Sequence, residues 1–208
     1  MTKPAAAGEH GRDARLVLAS TSPTRARLLA DAGVPVEIVP PRIDEDGAKR
    51  RLRGAGIDGR GLAERLAEEK ALSVSRPGRL VLGADQVLIL GERVFDKPAN
   101  RQAAAEQLAA LAGRTHRLLS AACIAEEGSP VWRCTGEARL AMRGFGAAFA
   151  DDYLDRIGDA ALAGPGAYRV EGPGIQLFDA IEGDWPTILG LPLLALLAYL
   201  RRRGVIAE

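Results

Sequence analysis

The chain has 208 residues, 47% of them hydrophobic and 26% charged, enough for one folded core or a core divided between two lobes. Its formal net charge is +1 and aromatic residues make up 4%. Neither a broad attraction to nucleic acid or anionic lipid nor an aromatic platform for single strands is therefore expected, and the core must be aliphatic.

Residues 1–14 are rich in Ala, Gly and charge, lack the apolar stretch of a signal peptide, and read as a disordered tail before a single domain over residues 15–208. Leu16 to Ser20 is a short apolar run of the buried-strand type. Ser22-Pro23 then reads as an N-cap followed by Pro at the first helical position, with Gly33 placed to end the helix. Val36 to Val39 is a second strand, stopped by Pro40-Pro41. Arg42 to Gly61 is polar and Gly-rich and is expected to be a mobile loop. Leu62 to Val74 carries Leu62, Leu66, Ala67 and Ala71 on one helical face. Leu80 to Leu90 is strongly apolar, interrupted at Gly83 to Gln86. An Ala-rich helix spans Arg101 to Ala112. Arg117 to Ala125 and Val131 to Met142 are two long strands joined by Glu126-Glu127-Gly128-Ser129 as a hairpin. A helix follows over Gly146 to Ile157, then a Gly-rich binding edge over Ala163 to Gly183, then a last helix over Leu193 to Arg203. The apolar run from Ile188 to Leu200 contains Gly190 and Pro192 and is too short to span a bilayer, so a cytoplasmic protein without a membrane partner is expected. The order predicts an α/β protein: a mixed sheet flanked by helices, in two lobes around a central cleft.

Four clusters carry candidate chemistry. Where the first strand meets its helix, free N–H groups and the positive end of the helix dipole suit a phosphate, with Ser20 and Ser22 adding hydroxyls and Arg25 a fork of donors. A capped helix with a solvated Arg explains the same residues. Asp85 interrupts an apolar run, which is costly to bury and places it at a strand end facing a cleft or metal, or capping a turn. In Asp96-Lys97-Pro98 the Lys precedes Pro, which holds it extended and could fix its ammonium against a phosphate. Lys70 lies at the polar margin of its helix, and Glu45 follows Asp44 in the polar loop. Glu45 with Asp85 could serve a hard divalent cation, Mg²⁺ or Mn²⁺. In Gly164 to Gly172 the glycines allow a close backbone approach, and Glu171 could accept two donors from a base edge; a tight structural turn explains the same pattern. Cys123 and Cys134 would lie nearly opposite each other on the hairpin; a disulfide is conceivable there, and two buried reduced thiols are favoured. His116, the only His outside the tail, has no zinc-ligand spacing around it.

In order, these pieces resemble the Maf family of nucleoside triphosphate pyrophosphatases: Leu16 to Arg25, Asp44-Glu45, Lys70-Ala71, Gly83 to Val87, Lys97-Pro98, Ala167 to Gly172 and Gly190-Leu191-Pro192. The resemblance implies an elongated mixed α/β fold, a divalent cation, a possible homodimer, and cleavage between the α and β phosphates of a nucleoside triphosphate substrate. It makes Asp85 the proton acceptor and puts Ser20, Arg25, Glu45, Lys70 and Lys97 around phosphate and metal. Thr24, Gln86 and Glu171 match specificity positions. Gln86 and Glu171 look like the branch acting on 7-methyl-GTP, and Ala167-Tyr168 looks like the dTTP and UTP branch. A carboxylate at Glu171 favours a base made cationic by N7-methylation. Family links to septum formation keep a nucleotide-sensing regulator as the rival reading.

Overall fold

The computed structural model describes residues 15–207; the tail expected over residues 1–14 lies outside them. Seven strands form one sheet: β1 (Leu16–Ala19), β2 (Val36–Val39), β3 (Leu80–Leu90), β4 (Arg93–Phe95), β5 (Thr115–Glu126), β6 (Ser129–Met142) and β7 (Phe178–Glu182). The order is β2-β1-β3-β5-β6-β7, with β4 also on β3. β2, β1 and β3 run parallel, whereas β4 and the series β3-β5-β6-β7 pair antiparallel. The expected mixed α/β sheet is thus the observed one.

The helices are α1 (Pro23–Asp31), α2 (Glu45–Gly54), α3 (Gly59–Leu72), α4 (Arg101–Leu111), α5 (Ala147–Ile157), α6 (Trp185–Ile188) and α7 (Leu193–Arg202). Two 3₁₀ turns, Gly158–Leu162 and Pro173–Leu177, shape the Gly-rich stretch before β7. No helix among the described residues is long and apolar enough to cross a membrane.

The long strands β3 and β5 run through both lobes. On one face of β3, Leu80, Leu82 and Ala84 pack with Leu29, Leu196 and Leu200, while Leu88 packs with Leu108, Leu140 and Tyr153 in a second core. On the other face, Val87 and Ile89 meet Leu62, Leu66 and Ala67 of α3. The expected aliphatic core holds.

Two expectations are corrected. The stretch from Arg42 to Gly61 is not a mobile loop: it forms α2 and the start of α3. Asp44 caps α2 by accepting from Gly47 N–H, acidic Glu45 and Asp46 open the helix, and basic Arg51 and Arg53 close it. These contributions match the helix dipole at both ends and offset the roughly 1 kcal/mol cost of an internal Gly. The cysteines are not opposite each other. A bulge at Ile124/Ala125 sets Cys123 against Arg133 and Cys134 against Ala122, a one-residue offset that turns the two thiols to opposite faces. Both are free, and burial pushes the Cys123 thiol up to about 11, so it stays protonated.

Candidate active site

The cleft begins as a gap in the sheet. β1 pairs with Leu80 to Gly83, and β4 pairs with Leu88 to Leu90. Between them, residues 84–87 have no strand beside them on that edge among the described residues. Asp85 therefore sits in the middle of β3 rather than at a strand end, correcting the sequence expectation. The strand passes from one lobe to the other at that point, so its middle becomes the cleft floor, and the burial cost is offset by an ammonium, that of Lys70.

Asp85 lies on the face covered by α3, two residues from Gly83. A Cβ at Gly83 would collide with the backbone of Ala67 and Ala71, so only Gly lets α3 settle this low. That approach brings Lys70 onto Asp85. Both side chains are 7% exposed, and Lys70 Nζ donates to Asp85 Oδ1 at 2.6 Å. The same ammonium is 2.8 Å from Glu45 Oε2, and Lys49 Nζ is 3.2 Å from Glu45 Oε1. Burial works against ionising Glu45, but Lys70 and Lys49 prevail and hold its carboxyl at about 2.

The turn after β1 forms one rim. Ser20 Oγ accepts from Ser22 N–H at 3.1 Å, and Ser22 Oγ caps α1 by accepting from Arg25 N–H at 3.3 Å. Each hydroxyl still has its own proton to donate to an anion. Arg25 Nε donates to the Gly190 carbonyl at 2.8 Å, which holds the guanidinium at the cleft. Burial lowers the Arg25 pKa, opposed by the charges of Asp85 and Glu45. Gly190 has φ +101°, a conformation that side chains rarely adopt, which turns its carbonyl to Arg25.

Gln86 lies against the same segment as Arg25: its Nε2 donates to Ser120 Oγ and to the carbonyls of Thr187 and Ile188 at 2.9–3.2 Å. Two backbone acceptors fix the amide orientation and leave Oε1 free to accept. Glu171 is engaged through one oxygen: Arg169 Nε and Nη2 donate to its Oε1 at 3.1 and 2.8 Å. The hydroxyl of Tyr168 meets His116 Nε2 at 2.7 Å beneath this loop.

Every sequence-predicted residue lines this one cleft of about 310 Å³: Ser20, Ser22, Thr24, Arg25 and Glu45 with Lys70, Asp85, Gln86, Lys97 and Glu171. Lys97 is exposed at its mouth, without a carboxylate partner among the described residues. Sequence reasoning missed Lys49 and Arg53, and gave no role to Asp96 and Arg169 within the clusters that contain them; all four also line the cleft. Glu45, Lys49 and Arg53 stand at i, i+4 and i+8, a single helix face, and that spacing would have found them had the segment been taken as a helix.

Six cations, Arg25, Lys49, Arg53, Lys70, Lys97 and Arg169, face four carboxylates, Glu45, Asp85, Asp96 and Glu171, around a gap beside a helix N-terminus. Such a fold and site define an α/β protein with a polyanion-binding cleft. The chain belongs to the Maf family: the model of the Maf-like protein family matches residues 15–203. Among curated relatives, it is similar to a 7-methyl-GTP pyrophosphatase of Mesorhizobium japonicum, 49% identical over 194 residues, 92% of this chain and 98% of that protein. A nucleoside triphosphate pyrophosphatase of Rhodopseudomonas palustris strain BisB18 is 51% identical over 195 residues, 92% of this chain and 95% of that protein. A 7-methyl-GTP pyrophosphatase of Brucella abortus is 47% identical over 194 residues, 92% of this chain and 98% of that protein.

Proposed function

We propose that the protein hydrolyses a nucleoside triphosphate to the monophosphate and diphosphate, with a 7-methyl-GTP-type substrate favoured. The observation that carries this reading is the buried Lys70–Asp85 pair at the gap in the sheet, shared with Glu45 and faced by Arg25 and the α1 turn.

Water attacks the α-phosphorus. A new P–O bond forms to the water oxygen, the bond to the bridging oxygen breaks, and diphosphate leaves with that oxygen. Asp85 takes the water proton. Lys70 engages only Oδ1 of Asp85, which leaves Oδ2 for the water. Arg25 and Lys97, with the hydroxyls of Ser20 and Ser22, hold the phosphates and offset the charge that builds on the leaving group.

A divalent cation fits this arrangement. Glu45 and Asp85 reach a single ammonium and so lie close enough to share a cation. Mg²⁺ or Mn²⁺ takes one or two carboxylates with waters and phosphate oxygens, and Glu45 with Asp85 would supply the carboxylates. Bound by Glu45 and Asp85, the ion would neutralise phosphate charge. For the base, the free Oε1 of Gln86 and the Glu171 carboxylate are acceptors, and the guanine edge offers donors to both.

Asp85→Asn tests the mechanism: kcat falls about 10²- to 10⁴-fold with little change in nucleotide affinity, read by phosphate release with added pyrophosphatase. Unchanged kcat removes Asp85 from its role. A panel of dTTP, UTP, CTP, GTP and 7-methyl-GTP with each metal tests the substrate, and a strong dTTP preference overturns the base assignment.

A further inference from the structure

The face of α2 that carries Glu45 continues into the cleft with two cations. By the helix rise, Lys49 lies about 6 Å and Arg53 about 12 Å beyond Glu45 along the axis. Both converge on one carboxylate. Arg53 Nη1 and Nη2 donate to Asp96 Oδ2 and Oδ1 at 2.9 and 3.1 Å, a fork on two oxygens, and Lys49 Nζ is 3.3 Å from Asp96 Oδ1. All three residues line the cleft.

This is the geometry in which a guanidinium grips a phosphate, with a carboxylate in the phosphate's place. Burial works against ionising Asp96, yet Arg53 and Lys49 hold its carboxyl below the usual range. Its side chain is still 45% exposed, so water can receive it when it lets go. It follows the three-residue strand β4, next to Lys97 at the mouth.

We propose that Lys49 and Arg53 form the subsite for the terminal phosphates, and that Asp96 is a built-in counter-anion which the substrate displaces. The proposal rests on the reading that a triphosphate occupies the cleft. It orders the cleft by distance: Asp85, Lys70 and Glu45 serve the α-phosphorus, Lys49 is one turn out, and Arg53 is two. The internal carboxylate keeps two cations ordered between turnovers. It also sets a threshold, because a ligand must carry more charge than Asp96 to replace it, and a monophosphate that ends at the α-position does not reach it. Release of diphosphate is helped when Asp96 returns to its partners.

Calorimetric titration of the full chain with inorganic diphosphate and, separately, with GMP tests this. Asp96→Asn is expected to tighten diphosphate binding roughly three- to ten-fold and leave GMP binding unchanged. Arg53→Gln and Lys49→Gln are expected to weaken diphosphate binding by a similar factor and to raise KM for the triphosphate, and Arg53→Gln, which does not touch Glu45, does so without an effect on GMP. A purely structural role for the Asp96 cluster would weaken binding in all three variants. Weaker or unchanged diphosphate affinity in a folded Asp96→Asn protein overturns the proposal, as does an Arg53→Gln protein that loses GMP and diphosphate equally. In either case wild-type hydrolysis leaves the activity itself standing. A wild-type protein that neither hydrolyses triphosphates nor binds diphosphate overturns both.

Discussion

Glu171 shows how far a single residue's meaning depends on its neighbour. As a lone carboxylate it would attract a cationic base, but Arg169 already spends two N–H groups on it. Their side chains are 42% and 20% exposed, so the pair is only moderately strong. Arg169→Gln frees the carboxylate and should raise the ratio of kcat/KM for 7-methyl-GTP over GTP by roughly two- to five-fold. A falling or unchanged ratio would show that Glu171 does not read the charge of the base. Glu171 was visible in the sequence because it stands between glycines; its partner two positions earlier was not, because nothing in a linear pattern says which way an Arg side chain turns. Asp85 was legible as a charge interrupting an apolar run and Arg25 as a donor at a strand-to-helix turn, whereas Glu45 stood in what read as a polar loop and Lys70 on a polar helix margin, and the order of the family's motifs singled them out.

At the level of elements, the alternating strands and helices were readable because their apolar periodicities are strong. α2 was not, since Gly47 and Gly54 bracket a segment whose stability comes from its capping Asp44 and from charges matched to the helix dipole. The full length of β3 was visible as an apolar run, but its passage through two lobes was not, and that passage puts Asp85 mid-strand. The contact of α3 with β3 depends on one missing methyl group. Gly83→Ala should cost about 3 kcal/mol by overpacking against the α3 backbone, lift Lys70 off Asp85, and abolish hydrolysis. Urea unfolding and a turnover assay check both. A variant of normal stability and activity would mean that α3 can shift without disturbing the site.

For the whole molecule, His116 couples folding to pH. It is 1% exposed, its Nδ1 has no hydrogen-bond partner, and burial lowers its pKa to about 4 from 6.5. Between those values the unfolded chain takes up a proton that the folded protein refuses. This contribution to stability is therefore intact above pH 6.5 and is lost as pH falls toward 4. The loss between pH 7 and pH 5 is about 2 kcal/mol, measurable by urea unfolding. His116→Leu should flatten that slope even if it lowers stability overall, because the Tyr168 hydroxyl loses its partner. An unchanged slope would assign the pH dependence to other groups.

The bare edge at residues 84–87 has a further consequence. An unpaired strand border usually invites another chain to add itself. Here β1 stands before the opening and β4 after it, so the unpaired run is four residues, about 13 Å long. A foreign strand of ordinary length cannot lie down in so short a berth, whereas a small molecule can. By keeping the opening brief, the fold can leave peptide groups without a strand partner beside the cleft and still not make the protein sticky to its own kind.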